Sequence, residues 1–342
     1  MQVSSMQPGA SLQDRFGRSI SYLRVSVTEH CNFRCEYCSP AGGTPYFEGD
    51  EHLTSGEQQR ILGLFARMGL QHVRFTGGEP LIHPRILDLV SHAAHLKVGK
   101  ISISTNGILL EKLAQPLQKA GLNNLNISID TLKPEVFRQV TRGGDLARVL
   151  RGIEAAKAAG IRRIKINTVL LRDVNGDDLE ELAIFALDLG LDIRFIETMP
   201  LGQSGEESVG SRFLPAHEAR KTLERHFGSL IPVASSRDNG PAMLYRVPGS
   251  GSSGRVGFIT PLSENFCSSC NRVRLTSSGR LVYCLGSEDG MDLRRLLRNG
   301  DITDGQLIDA IQQGVWHEKP ERHEFLENPA RSSKIFMMRL GG

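Results

Sequence analysis

The sequence predicts an α/β fold of parallel strands, arranged as an open barrel or a doubly wound sheet. Three observations carry this expectation. Six strand-length apolar segments alternate with helical-period segments between residues 22 and 197. Cysteine-rich and glycine-rich motifs directly follow two of the strand ends, where barrels place their chemistry. At 342 residues the chain is long enough for about two domains, and the alternation stops near Ser235. Shorter β-like pieces beyond it predict a smaller C-terminal α+β domain.

The N-terminus, Met1 to Asp14, is polar and lacks the apolar core of a signal peptide, so residues 1–13 read as a disordered lead-in. The first strand runs from Tyr22 to Val27 and ends in a cysteine loop. Thr54-Ser55-Gly56-Glu57 has the pattern of a capping box, and Ile61, Leu64, Phe65 and Met68 then recur at helical spacing. The strand His72–Thr76 ends in Gly77-Gly78-Glu79-Pro80. Ile101–Ser104 is a strand, followed by a helix from about Leu109 to Ala120. Leu125–Asp130 is the next strand. A helix with Leu146, Val149, Leu150 and Ile153 on one face leads to the strand Ile164–Leu170. A helix with Leu179, Leu182, Ala183 and Ala186 leads to the strand Asp192–Glu197. These units form a core region over residues 14–235. In residues 236–342, Met243–Val247 and Val256–Thr260 flank a Gly/Ser-rich turn, and a cysteine pair and a single cysteine follow.

Composition narrows the function classes. Hydrophobic content of 39% and charged content of 23% describe an ordinary soluble globular chain. A formal charge of +3 is too small for a strongly electrostatic nucleic-acid binder, though it leaves room for one anionic ligand held by a local arginine cluster. No run of 18 apolar residues is present, so no spanning helix is expected.

The six cysteines fall into two tight groups more than 200 residues apart. That pattern fits two metal sites in a reducing compartment, the cytoplasm, better than a disulfide framework. Cys31, Cys35 and Cys38 stand in a C-x₃-C-x₂-C spacing, which a tight loop can turn toward one point. Structural zinc closes with four ligands, and a four-iron four-sulfur cluster normally takes four thiolates. Three thiolates leave one iron open for a small-molecule ligand. A zinc loop is the alternative. Cys267, Cys270 and, after a 13-residue gap, Cys284 are again one thiol short. A second cluster with a free iron is expected there, against a zinc site completed by a histidine.

Between them lies Asn271-Arg272-Val273-Arg274. In an extended chain Arg272 and Arg274 share one face, and two guanidiniums on one face make a phosphate clamp. Arg24, Arg74, Lys165 and Arg194 also fall inside predicted strands. Charge in such a core is costly unless paired. Either scattered salt bridges or one polyanionic ligand spanning both regions accounts for the six.

Together these motifs resemble the GTP 3′,8-cyclase family of radical S-adenosylmethionine enzymes. The likeness runs from about Asp14 to Gly342, through YLRVSVTEHCNFRCEYC, VRFTGGEP, STNG, INTVLL, IRFIETMP, CSSCNRVRLT and the terminal Gly-Gly. It implies an incomplete (β/α)₆ TIM-like barrel and two 4Fe-4S clusters, one on each cysteine group. It also implies S-adenosylmethionine contacted by Tyr37, Gly78, Ser128 and Met199. GTP would be contacted by Arg24, Arg74, Ser104, Lys165, Arg194 and Arg272, Val273 and Arg274. The implied activity is cyclisation of GTP through hydrogen abstraction at ribose C3′ and addition to guanine C8, opening molybdenum-cofactor biosynthesis. The implied partners are an electron donor and a downstream cyclic pyranopterin monophosphate synthase, with no membrane or nucleic acid, in a monomer or homodimer. The terminal Gly341-Gly342 is expected to reach into the active site. His72 and Ser39 depart from the family pattern, where a lysine and a methionine are usual, so one phosphate contact is expected to become pH-dependent. A radical peptide maturase and a zinc or nucleic-acid-binding module are the rival readings.

Overall fold

The computed structural model describes residues 11–39, 51–234, 240–327, 334 and 337–341. Most of the lead-in, the boundary at Ser235, and Ile335, Phe336 and Gly342 of the tail therefore lie outside the described residues. The lead-in ends earlier than expected. Leu12 is buried, its amide donates to the Met68 carbonyl, and its carbonyl accepts from Ile20. An apolar side chain with a docking site folds in, whatever the polarity around it.

In chain order the elements are β1 (Tyr22–Ser26), α1 (Ser55–Arg67), β2 (His72–Thr76), α2 (Ile86–His95), β3 (Lys100–Thr105), α3 (Leu110–Lys119) and β4 (Asn124–Ser128). Then come α4 (Pro134–Val140), α5 (Leu146–Ala158), β5 (Arg163–Leu170), α6 (Arg172–Asn175), α7 (Leu179–Asp188) and β6 (Asp192–Glu197). After β6 the chain forms α8 (Gly202–Ser211), α9 (Ala216–Phe227), β7 (Ile231–Pro232), β8 (Met243–Arg246), β9 (Val256–Ile259), β10 (Arg272–Leu275), β11 (Arg280–Val282) and β12 (Gly290–Asp292). The helices α10 (Leu293–Arg298), α11 (Asp304–Glu318) and α12 (Met337–Leu340) close it. The Thr54 hydroxyl accepts from the Glu57 amide and the Glu57 carboxylate accepts from the Thr54 amide, so the capping box forms as the spacing predicts.

Among the described residues all twelve strands belong to one sheet, in the order β12-β11-β10-β1-β2-β3-β4-β5-β6-β9-β8-β7. The run from β10 through β1–β6 to β9 is parallel, and the outer strands pair antiparallel. The six β/α units thus form the middle of an open barrel. The C-terminal region does not stand apart: it supplies β9 at one edge and β10 at the other.

Strand alternation divides the sheet into two faces. One face carries Leu23, Val25, Val73, Phe75, Ile101, Ile103, Leu125, Ile127, Ile166, Ile193 and Phe195, all buried in the core cluster beneath the helices. The other face, the barrel lumen, is polar. Arg24 stands in register with Arg74 and Arg274, Arg74 with Ser102, Ser104 with Asn126, Asn126 with Lys165, and Asn167 with Arg194. Residues in register project to the same side, so these side chains share one interior.

Candidate active site

The loop after β1 brings Cys31, Cys35 and Cys38 together at the carboxyl end of the barrel. The Cys38 and Ser39 amides donate to the Cys35 carbonyl, tightening the turn. Arg34 and Glu36 amides bond the carbonyls of Thr141 and Val140, and Phe33 packs edge-on against Phe137, fastening the loop to the end of α4. The three thiols are free, and Cys31 and Cys38 both act electrostatically on Cys35. Burial pushes the Cys31 thiol up to about 11 and Cys35 well above its ordinary value. The Phe33 amide donates to Cys31 Sγ at 3.3 Å.

Gly77 and Gly78 explain how two loops fit in one place. A Cβ on Gly77 would collide with the Thr28 carbonyl, and one on Gly78 with the His30 carbonyl. The Gly78 and Glu79 amides donate to those same carbonyls at 2.8 Å. The glycine pair therefore packs backbone against the lead-in to Cys31, which only residues without a Cβ allow. Glu79, buried, accepts from the Leu81 and Asn106 amides and the Thr105 hydroxyl, and burial raises its carboxyl to about 7.

Tyr37 donates its hydroxyl to Asp130 Oδ2 at 2.7 Å, with Asp130 just past β4. Ser128, half-buried, ends β4 on the lumen side in register with Asn167. Met199, just past the end of β6, lines the cavity around the second cysteine group, with Phe266, Arg272, Arg274 and Lys319.

That second group combines a short turn, where the Cys270 amide donates to the Cys267 carbonyl at 3.0 Å, with Cys284 beyond β11. Its thiols are also free and act on one another electrostatically. Three residues that sequence reasoning missed surround it. Lys319, almost fully buried, donates to the carbonyls of Arg272 (2.9 Å) and Tyr283 (2.7 Å) and approaches Cys270 Sγ at 3.9 Å. Arg18, paired with Asp14, donates to the Cys267 carbonyl at 2.8 Å. His323 Nδ1 lies 3.1 Å from Cys284 Sγ. Arg272 and Lys319 pull the Cys270 thiol down to about 6 against its burial. Among the described residues no three His, Cys, Asp or Glu side chains gather closely enough to hold a single ion. Two sets of three free thiols, Cys267 buried and the other five half-buried, with neighbouring N–H or cationic donors, fit iron–sulfur clusters.

The lumen between the two groups holds the expected cations. Burial and mutual repulsion push Arg24 well below the ordinary guanidinium range and Arg194 and Arg274 to about 10. Lys165 falls to about 6 through burial and the nearby Arg194, Lys100 and Arg74. Among the described residues no carboxylate pairs with Arg24, Arg74, Lys165, Arg272 or Arg274 within 4.0 Å. Arg74 Nε donates instead to Ser102 Oγ, and Arg272 lies over the Phe266 ring. Among the described residues, buried Arg24 Nε and the Tyr22 hydroxyl have no hydrogen-bond partner. Val273 is 1% exposed on the apolar face opposite Arg272 and Arg274, because alternation turns it into the core, so its side chain does not enter the lumen.

The tail does reach this interior. Arg24 Nη2 donates to the Gly341 carbonyl at 2.9 Å, and Arg274 Nη1 donates to the carbonyls of Leu340 (3.2 Å) and Gly341 (3.3 Å). Gly341 has φ +77° and sits against Thr76 and Ser26, and Arg339 pairs with buried Glu29 at 3.2 Å.

Comparison with known proteins agrees with this arrangement. Residues 25–186 match the Radical SAM superfamily and residues 191–325 match Molybdenum Cofactor Synthesis C, so the two matches meet just before β6. The chain is 44% identical over 335 residues to a GTP 3′,8-cyclase of Marinobacter nauticus, covering 98% of this chain and 100% of that protein. It is 45% identical over 313 residues to GTP 3′,8-cyclase 1 of Pseudomonas aeruginosa, covering 91% and 93%. Among solved structures, Streptococcus suis SuiB bound to S-adenosylmethionine shares the fold, with TM-score 0.60 and 16% identity over 87% of this chain and 66% of that one. Two free thiol groups at the ends of one cationic barrel, with full-length likeness to these cyclases, place the chain in the GTP 3′,8-cyclase family of radical SAM proteins.

Proposed function

We infer that this protein converts GTP to (8S)-3′,8-cyclo-7,8-dihydroguanosine 5′-triphosphate, the first step of molybdenum-cofactor biosynthesis. The observation that carries the substrate reading is that Arg24, Arg74, Lys165, Arg272 and Arg274, lying between two thiol groups, have no carboxylate partner among the described residues. A buried cation cluster is costly unless an anion answers it, and a triphosphate supplies that charge.

In this reading Cys31, Cys35 and Cys38 hold one 4Fe-4S cluster, and Cys267, Cys270 and Cys284 hold the other. Tyr37, Gly78, Ser128 and Met199 line the S-adenosylmethionine side, and Met199 also borders the cavity of the second thiol group. When bound, the clusters and S-adenosylmethionine supply the radical chemistry, hydrogen abstraction at ribose C3′ and reduction of the cyclised product. The chain's own work is positioning, charge neutralisation and exclusion of solvent. Arg24, Arg74, Lys165, Arg194, Arg272 and Arg274 neutralise the phosphates from several strands, with Ser104 on the same wall. Lys319 ties the Cys270 turn to the Cys284 segment through two carbonyls, which fixes the second thiol group. The tail covers the mouth through Arg24 and Arg274. An electron donor and an enzyme that consumes the cyclised nucleotide complete the partner set.

Iron and sulfide analysis after anaerobic reconstitution tests the cluster assignment: two clusters per chain support it, and bound zinc contradicts it.

A further inference from the structure

His72 is the odd member of the lumen. It opens β2, in register with Tyr22 on β1 and Lys100 on β3. Its ring stacks on Tyr22 at 3.8 Å between centroids and 15° between planes, and its Nε2 lies 2.7 Å from Ser102 Oγ. Ser102 in turn donates to the Val73 carbonyl at 3.2 Å and accepts from Arg74 Nε. With the hydroxyl proton committed to that carbonyl, the imidazole is the donor to Ser102 Oγ, the arrangement of a neutral ring protonated at Nε2.

The charges that act most strongly on it share one sign. Arg24 faces it from β1, Arg74 from its own strand, Lys100 from β3 and Lys165 from β5. A carboxylate on the lumen side, Asp192 at the start of β6, is held by two bonds from Arg255 at 3.0 and 2.7 Å. Burial and these cations hold the His72 ring neutral, far below its ordinary titration range. A polyanion among the same side chains reverses the field that keeps the ring uncharged. An arginine has no such response, because it is charged whether the site is filled or empty.

We propose that a triphosphate enters this lumen with uptake of a proton by His72, so that the imidazole becomes a phosphate-facing cation only when ligand is bound. The proposal rests on the lumen being the phosphate site. His72 thereby spares the free protein one more buried charge and supplies that charge on demand. The proton comes from solvent, and no bond is made or broken. Linkage fixes the sign: the ring's pKa is higher in the complex, so affinity rises as pH falls. Each proton taken up contributes at most about tenfold per pH unit. Lys165, also depressed, contributes its own uptake, which a change at His72 leaves in place.

The test is titration calorimetry of the reconstituted protein with GTP and with inorganic tripolyphosphate, in buffers of different ionisation enthalpy, at about pH 6.5 and about pH 8.5. Two variants bracket the side chain: His72→Gln keeps a hydrogen bond to Ser102, and His72→Phe keeps the stack on Tyr22. Wild type should take up more protons than either variant, and its affinity should fall more steeply with rising pH. The ligand's own ionisation cancels in that comparison. Equal proton uptake in wild type and both variants would overturn the role of His72 while leaving the phosphate site standing. Absence of binding by either ligand would overturn the phosphate site itself, and this inference with it.

Discussion

Arg24 on the first barrel strand donates to the carbonyl of Gly341, one residue from the chain end, across 2.9 Å. Arg274 on β10 holds the same carbonyl. Two of the cations assigned to phosphate therefore also dock the tail, so tail and substrate are read by one set of guanidiniums.

Removing Gly341 and Gly342 should leave both clusters and global stability nearly unchanged while formation of cyclised GTP falls by orders of magnitude. Gly341→Ala should do the same in part. Its φ of +77° suits glycine, and an added Cβ would lie 2.9 Å from Thr76 Cγ2. Product formation and 5′-deoxyadenosine release, measured side by side, check this. Full activity in the truncated enzyme would reduce the tail to packing.

The two cysteine groups should separate functionally. Any one of Cys31, Cys35 or Cys38 changed to Ala should abolish 5′-deoxyadenosine formation with GTP binding largely intact. Changing Cys267, Cys270 or Cys284 should leave slow cofactor cleavage without productive cyclisation. Iron counts per chain accompany both measurements; equal iron loss from both sites in the second set would make that group structural.

Arg272→Ala and Arg274→Ala should each weaken GTP binding by about 1.5–3 kcal/mol, the scale of hydrogen bonds to charged groups. Arg274→Ala should in addition lower kcat, because it releases the Leu340 and Gly341 carbonyls. Calorimetry and steady-state kinetics on the pair distinguish the two roles, and unchanged affinity in both would return the arginines to a structural part.

A pH dependence of stability follows from Glu57, whose carboxylate takes two bonds from Arg298 and joins α1 to α10. The Arg298 hydrogen bond holds its carboxyl down at about 2. A depressed folded pKa contributes stability above the ordinary carboxyl value that is lost as pH falls toward about 2. Arg298→Ala should therefore cost about 0.5–1 kcal/mol near neutral pH, as partly exposed pairs do. That penalty should shrink on acidification, which urea melts at two pH values would show.

Much of this was legible beforehand, for physical reasons. Period-two and helical patterns are local, so the six β/α units and the capping box at Thr54 could be read off directly. Thiol spacing is local too, and alternation puts Arg272 and Arg274 on one face and the Val273 side chain on the other. What escaped was non-local. Pairing of β10 with β1 joins residues about 250 apart in sequence, which no short pattern records. Lys319, Arg18 and His323 are single residues whose importance arises only from where the fold sets them. The packing of the glycine pair on the Thr28 and His30 carbonyls is non-local too, because it joins the loop after β2 to the loop after β1.

The most direct test of the account is anaerobic incubation of the reconstituted protein with dithionite, S-adenosylmethionine and each nucleoside triphosphate in turn, followed by product mass analysis. The account predicts a cyclised product of GTP, isomeric with the substrate, formed with 5′-deoxyadenosine. Cofactor cleavage with no isomeric GTP product, or a product from another nucleotide in its place, would contradict it.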